Sequence, residues 1–457
     1  MSQATGFFLI LVTIVLSLMA ISRPMWAFGL WILMWSLEQL LQTFLPFLQT
    51  NGIYFNAFVA FIVALASMKR MSRPNSNFLS YFNTTTVCIC MLYAVGLLGL
   101  AWTPGLEYAK GQIIWLGPYI IVGVFLAPHL VQKLSDINEL RWVLLFGGTG
   151  IAVAMLLNPN LGFYGDRSFI HFGSQKGNPL ELAQLGATIT VVAILSRDSG
   201  KTGILLALRI AAIIFGLGIA LKSGTRGQVI AAVLVLAAIY PISNAKKGFG
   251  QSVLTVVSLG VMGLFMLIAI QVFVGNENMN RWSLESLSSG TQGRFYFIKE
   301  YLLAYMSNPA AWPFGFGTMA FSVVVPQAGV AFCENLFVES LTEQGLIGGV
   351  LMACILVNTV RHAKFLVQNA PNFKERTSAV TLCGLLMMSF IIAAKSYNLW
   401  TGFHFFYLCI VISKLGIVLR EQVASGELEF TEYDEYDEYD EEHLEDEFED
   451  DSLVHPA

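Results

Sequence analysis

Ile204-Leu205-Leu206-Ala207-Leu208-Arg209-Ile210-Ala211-Ala212-Ile213-Ile214-Phe215-Gly216-Leu217-Gly218-Ile219-Ala220-Leu221 is eighteen residues with a single ionisable side chain, and it gives way at once to Lys222-Ser223-Gly224-Thr225-Arg226. Its length matches the roughly 20 apolar residues that a helix needs to cross a bilayer. Unsatisfied backbone groups are so costly in hydrocarbon that a helix is the structure such a run must take. Further runs of this kind occupy 6–22, 25–48, 53–68, 80–101, 112–130, 142–157, 179–196, 227–241, 252–274, 345–361, 377–394 and 397–417. With 203–221 they predict an all-α polytopic membrane protein of about 12 or 13 transmembrane helices, several of them short or interrupted by Gly.

Composition leads to the same class. Hydrophobic residues make up 55% of the 457 and charged residues 12%, where a soluble domain carries about 25% charged. Met1 to Gly6 offers neither a basic leader nor a small-residue cleavage site, so the first run is expected to stay as a membrane helix. The six cysteines lie mostly inside apolar runs, where Cys behaves as a small hydrophobe. Cys88-x-Cys90 has the wrong spacing for a zinc pair, and no disulfide framework is read.

The net charge of -5 conceals an uneven distribution. Sixteen of the 31 acidic residues fall between Glu427 and Asp451, leaving 15 against 26 basic residues, a balance of +11 for the membrane body. The repeat Glu432-Tyr433-Asp434-Glu435-Tyr436-Asp437 has too little apolar surface to fold alone, so a solvated, disordered tail is expected, or a docking element for a basic partner.

Lys and Arg set the orientation because they accumulate in cytoplasmic loops. Alternating loops from residue 69 place Lys69, Arg70, Arg73, Lys133, Arg141 and nine further cations with Arg420 on one side, 15 in all, and nine on the other. The richer side is expected to be cytoplasmic, along with the acidic tail. The poorer side owns two long loops, 158–178 and 275–335. The second is too long to lack structure of its own. Gly293-Arg294-Phe295-Tyr296-Phe297-Ile298-Lys299-Glu300-Tyr301-Leu302-Leu303 reads as an amphipathic interfacial helix, ended by Asn308-Pro309 and followed by a tight turn at Pro313-Phe314-Gly315-Phe316-Gly317.

Arg167, Lys176, Lys222, Arg226 and Arg294 are concentrated on this cation-poor face. An arginine fork matches phosphate oxygens. Arg226 opens a helix behind Ser223-Gly224-Thr225, where amide groups and the dipole also favour an anion. Any one of these cations could equally be a snorkelling interface residue. Glu334, set in Ala331-Phe332-Cys333-Glu334-Asn335-Leu336-Phe337, is the one carboxylate nominated as a base; apolar neighbours are expected to dehydrate it partly and raise its pKa. The same group could instead be a helix-start carboxylate or an ion pair with one of the arginines. His171, His404 and Lys395 are left without a role.

Arg167 ahead of Gly177-Asn178-Pro179, then Ser223-Gly224-Thr225-Arg226-Gly227, then Asn308-Pro309 with Gly315-Phe316-Gly317, occur in the order and on the topology of a known family. They resemble the O-antigen ligase and polymerase superfamily of bacterial inner-membrane glycosyltransferases. The resemblance covers most of the chain and is specific mainly from Arg167 to Gly348. The ligase branch carries a histidine, ten residues and Gly-x-x-Gly; here Glu334 stands in the histidine's place ahead of Gly345-Leu346-Ile347-Gly348. That exchange points toward the polymerase branch.

What the resemblance implies is an enzyme of polysaccharide (O-antigen, lipopolysaccharide or exopolysaccharide) biosynthesis. Its donor would be an undecaprenyl-diphosphate-linked glycan presented at the periplasmic surface of the inner membrane. Arg167 and Arg226 would hold the diphosphate and stabilise it as leaving group, and Arg294, Lys222, Lys176 and Asn335 would contact substrate. Glu334 would deprotonate an acceptor hydroxyl, with inversion at the sugar. No Asp-rich motif is present, so neither metal nor cofactor is expected. Besides the lipid bilayer, a chain-length regulator or flippase of the same pathway is the expected partner, and nucleic acid is not. The organisation is then 1–157, N-terminal transmembrane helices; 158–420, a catalytic transmembrane core with loops 158–178 and 275–335; and 421–457, the acidic tail. Two alternatives stay open: a ligase transferring finished glycan to lipid A core or protein, and an anion or solute transporter. The halves show no convincing internal repeat of the kind transporters often carry.

Overall fold

A computed structural model describes residues 3–73, 78–158, 161–164, 167–172, 175–196, 203–243 and 284–427. In chain order the helices are α1 (Gln3–Ala20), α2 (Pro24–Gln42), α3 (Pro46–Met71), α4 (Thr84–Leu98), α5 (Leu106–Ile120), α6 (Asp136–Val143), α7 (Thr149–Leu156), α8 (Pro179–Leu195), α9 (Gly203–Lys222), α10 (Arg226–Ser243), α11 (Leu284–Met306), α12 (Leu336–Gln368), α13 (Phe373–Ser396) and α14 (Phe403–Ser425). All twelve predicted spans that fall on described residues are helical. The run 252–274 and the tail beyond Glu427 lie outside the described residues. Among the described residues, eight segments are long and apolar enough to cross a membrane, and Gly6–Ala20, Pro179–Leu195 and Arg226–Ile242 are shorter apolar helices. The protein is an all-α, multi-pass membrane protein.

Local chemistry explains where the helices begin. Pro24, Pro46 and Pro179 occupy first-turn positions, where the missing amide costs nothing. Asn83, Asn178, Asn335 and Asn372 each accept a first-turn amide as N-cap. The α5 and α6 segments run on through π-helical turns at Ile121–Leu126 and Leu144–Gly148, so the predicted spans at 112–130 and 142–157 are interrupted rods.

Among the described residues one region pairs as strands. Within the 158–178 loop, β1 (Leu161–Tyr164), β2 (Arg167–Phe172) and β3 (Gln175–Lys176) form a small antiparallel sheet, with Arg167 opposite Tyr164 and Lys176 opposite His171. Strand β2 lies against α8.

The core is built around α14. Phe403, Phe405, Phe406, Tyr407 and Cys409 are at most 3% exposed, as befits a helix that is apolar on every side. Trp31 from α2 meets Phe403 at 6.1 Å and Tyr93 from α4 meets Phe406 at 5.5 Å. Lys414 of α14, fully buried, donates to the carbonyls of Val131 at 2.8 Å and Pro128 at 3.4 Å. A single apolar cluster runs from Ala20 to Leu419, so the helices before and after residue 157 share one core.

The 275–335 loop does contain structure. Its amphipathic helix is longer than predicted, α11, and buries Tyr301 and Tyr305 while Phe295, Tyr296, Leu303 and Met306 stay exposed. Beyond it the chain docks into a break in α12. At Gly345 the backbone leaves the helix (φ 68°, ψ -161°). The Phe316 and Gly317 amides donate to the Thr342 and Glu343 carbonyls, each at 2.9 Å, and the Leu346 amide donates to Trp312 O at 2.7 Å. Backbone groups freed by the break are thus satisfied by the loop, the condition under which irregular backbone survives in a membrane protein. The predicted span began at residue 345, and the continuous part of α12 starts there.

Candidate functional site

The site is assembled where α12 begins. Asn335 accepts the amides of Phe337 and Val338 at 3.1 and 3.0 Å, and its own amide donates to Ala394 O near the end of α13 at 2.8 Å. One side chain therefore starts a helix and ties it to another. Glu334, just before it, is one of two described non-glycine residues with positive φ, at 60°. Such a conformation costs an L-residue roughly 1–2 kcal/mol and tends to persist at functional positions.

Glu334 Oε2 accepts from Arg294 Nε at 2.7 Å, with side-chain exposures of 31% and 39%. Of the two structural alternatives weighed for this carboxylate, the ion pair with an arginine is the one formed. About a third of the Glu334 side chain remains open to solvent, a partial dehydration. Its neighbour Cys333 is buried, and burial, reinforced by the nearby Glu339 carboxylate, pushes its thiol well up. Cys333 is therefore unsuited to act as a thiolate nucleophile.

Arg226 approaches from the other side. It is the first residue of α10, half-buried, behind the left-handed Gly224. The hydroxyls before it serve the backbone: Ser223 Oγ donates to Ala220 O at 2.7 Å and accepts from Thr225 N, while Thr225 Oγ1 donates to Pro179 O at 3.3 Å. Thr225 thereby joins the start of α10 to the start of α8, bringing the two predicted motifs Gly177-Asn178-Pro179 and Ser223-Gly224-Thr225-Arg226 into contact. Thr225 Oγ1 is a strut between two helices, while Ser223 Oγ serves the turn between α9 and α10.

Lys395, which sequence reasoning left without a role, closes the gap. Its ammonium lies against Gly227, where a Cβ would overlap both Cε and Nζ, and reaches Gln228 Oε1 at 3.4 Å. Contacts thus run from Arg294 to Glu334, through Asn335 to Ala394 and Lys395, and on to Gly227 beside Arg226. Arg226 and Lys395 stand beside the positive end of α10, a position that favours an anion. Lys222 ends α9 four residues earlier and is half-buried. The backbones of Arg167 and Lys176 lie in the small sheet beside α8; their side chains lie outside what is described. His404 occupies a separate cavity of about 40 Å³ with Glu181, Gln184 and Tyr407, between α2, α8, α13 and α14.

Two buried carboxylates, Glu339 and Glu343, were missed. Their i, i+4 spacing in an apolar helix start was the available signal, since it places both on one face.

The fold defines the class, a polytopic α-helical membrane protein whose polar cluster joins the starts of α8, α10 and α12 to the end of α13. No protein-family model and no curated protein matches the chain.

Proposed function

We propose that the protein is a polysaccharide polymerase of the bacterial inner membrane, transferring glycan from an undecaprenyl-diphosphate-linked donor to a sugar hydroxyl at the periplasmic face. The observation that supports this reading best is the Arg294–Glu334 pair at 2.7 Å, joined through Asn335 and Lys395 to the start of α10. It sets a carboxylate and several cations at one end of the bundle. In the resting site Arg294 neutralises Glu334. An incoming diphosphate competes for the guanidinium, to which phosphate oxygens are well matched, and releases the carboxylate to accept the acceptor's proton as the hydroxyl attacks the anomeric carbon. Arg226 and Lys395, with Arg167, hold the diphosphate and stabilise the charge left on it as the glycosyl bond breaks. The acidic tail is cytoplasmic in this reading.

Solute passage is the weaker alternative, because the break at Gly345 is filled by the 312–317 backbone instead of opening onto a path. The test is a gel of surface glycans and lipid-linked intermediates from cells with and without the gene. Polymerase loss leaves single repeat units on the final acceptor. Full-length polymer stranded on the lipid carrier would replace this reading with a ligase, and no change in either pool would remove glycan transfer altogether.

Two predictions belong to the cation side. Arg226→Ala is expected to weaken donor binding roughly 10- to 100-fold, the scale of one charge-assisted hydrogen bond; unchanged donor affinity in a binding assay would remove Arg226 from the site. Gly227→Ala is expected to push the Lys395 ammonium aside, because a Cβ there overlaps it. The displaced atoms are the end of a flexible side chain, and Ala is the better helix former by about 0.5–1 kcal/mol. Thermal stability should therefore hold while donor affinity falls, and a variant that loses stability instead would show that Lys395 is a structural brace.

A further inference from the structure

Glu339 and Glu343 are 1% and 2% exposed, and no described basic side chain forms an ion pair with either. Buried acids at such a depth need a reason. Each accepts a backbone amide from the loop that precedes α12: Cys333 N to Glu339 Oε1 at 2.7 Å, and Met319 N to Glu343 Oε2 at 2.9 Å. The described non-glycine residues with positive φ are Met319, at 59°, and Glu334, at 60°. Both buried acids thus grip the chain at a left-handed turn, one at the strained residue itself and the other at the residue before it. The Glu334 amide faces the Glu339 carboxylate as well.

We propose that Glu339 is a positioning residue for Glu334: by holding the Cys333 amide it keeps the turn left-handed and the Glu334 carboxylate directed at Arg294. Left alone, an L-residue relaxes to negative φ. A buried oxygen acceptor fixed on the Cys333 amide opposes that relaxation, because breaking the bond would leave the amide unsatisfied. In a strand-like Glu334 the side chain would leave along another direction, away from the Arg294 guanidinium. The catalytic part of this inference rests on Glu334 acting as base; the anchoring part does not.

The test uses full-length protein in lipid nanodiscs with two substitutions. Glu339→Met matches the length and offers no comparable acceptor, while Glu339→Gln keeps a carbonyl oxygen for the Cys333 amide. In Glu339→Met, hydrogen exchange at the Cys333 amide should accelerate at least about tenfold, and kcat for glycan transfer should fall about 10- to 100-fold with donor KM little changed. Glu339→Gln should restore both. A purely packing role would be served by Met and Gln alike, since both fill the space of Glu, and would not separate the two variants in this way. Unchanged exchange in Glu339→Met, or a Gln variant as impaired as the Met variant, would overturn the proposal. Should the Met variant not accumulate, Glu339→Asp, shortened by one methylene, makes the same comparison. If the native protein transfers no glycan, the enzymatic reading falls and the exchange data alone decide whether Glu339 anchors the turn.

Discussion

Glu334→Gln is expected to lower glycan transfer at least about 100-fold, the scale of a lost general base, with no loss of folded protein. The second half of that statement follows from exposure. An ion pair whose members are 31% and 39% exposed is screened by solvent and contributes about 0–1 kcal/mol, so its removal does not unfold a bundle held by the α14 core. The left-handed backbone gives a sharper discriminator. Glu334→Gly removes the base and also relieves the conformational cost at φ 60°, so it should be as inactive as Gln while melting higher, by roughly 1 kcal/mol of added stability. Activity in either variant, measured on purified protein at matched folded concentration, would dismiss Glu334 as base.

Gly345→Val should have the largest effect on the fold. Its backbone at φ 68°, ψ -161° lies in a region essentially reserved for glycine, and a Cβ there would overlap the Pro313 carbonyl and the Phe314 amide. Valine must therefore expel the 312–317 loop from the break and leave the Leu346, Phe316 and Gly317 amides without their carbonyls. Strain and lost bonds together amount to about 3 kcal/mol or more, a large part of a stability of about 5–15 kcal/mol. Fluorescence-detected size exclusion after heating should show a far lower melting point for Gly345→Val. Gly111→Ala, where a Cβ meets nothing within 4 Å, should melt as the native protein does. Equal melting of the two variants would mean that the break is not held by the loop.

Much of this architecture can be read from the chain because membrane helices declare themselves by length and apolarity alone. The span predicted to begin at 345 begins at the Gly345 break because a glycine directly after the polar stretch Thr342-Glu343-Gln344 marks both a hydropathy edge and a conformational one. Pairings across the fold are another matter. Arg294 and Glu334 are 40 residues apart and Lys395 and Gln228 are 167 apart, and no local pattern encodes which cation meets which acid. Ser223-Gly224-Thr225 reads as a set of cap residues because it stands at a helix start; the neighbouring Pro179 carbonyl, which accepts the Thr225 hydroxyl, is invisible without the packing of α8 on α10. The 158–178 sheet was missed for a related reason, since its short strands lie in a polar loop with no alternating pattern strong enough to outweigh the helices around it.

The most direct measurement reconstitutes the native protein and Glu334→Gln in liposomes with an undecaprenyl-diphosphate-linked repeat unit, and follows free undecaprenyl diphosphate together with glycan length. The account predicts that the native protein releases the lipid diphosphate in step with chain growth and that Glu334→Gln does neither. Lipid-linked glycan that stays unreacted with the native protein, or that is consumed equally by the variant, would contradict it.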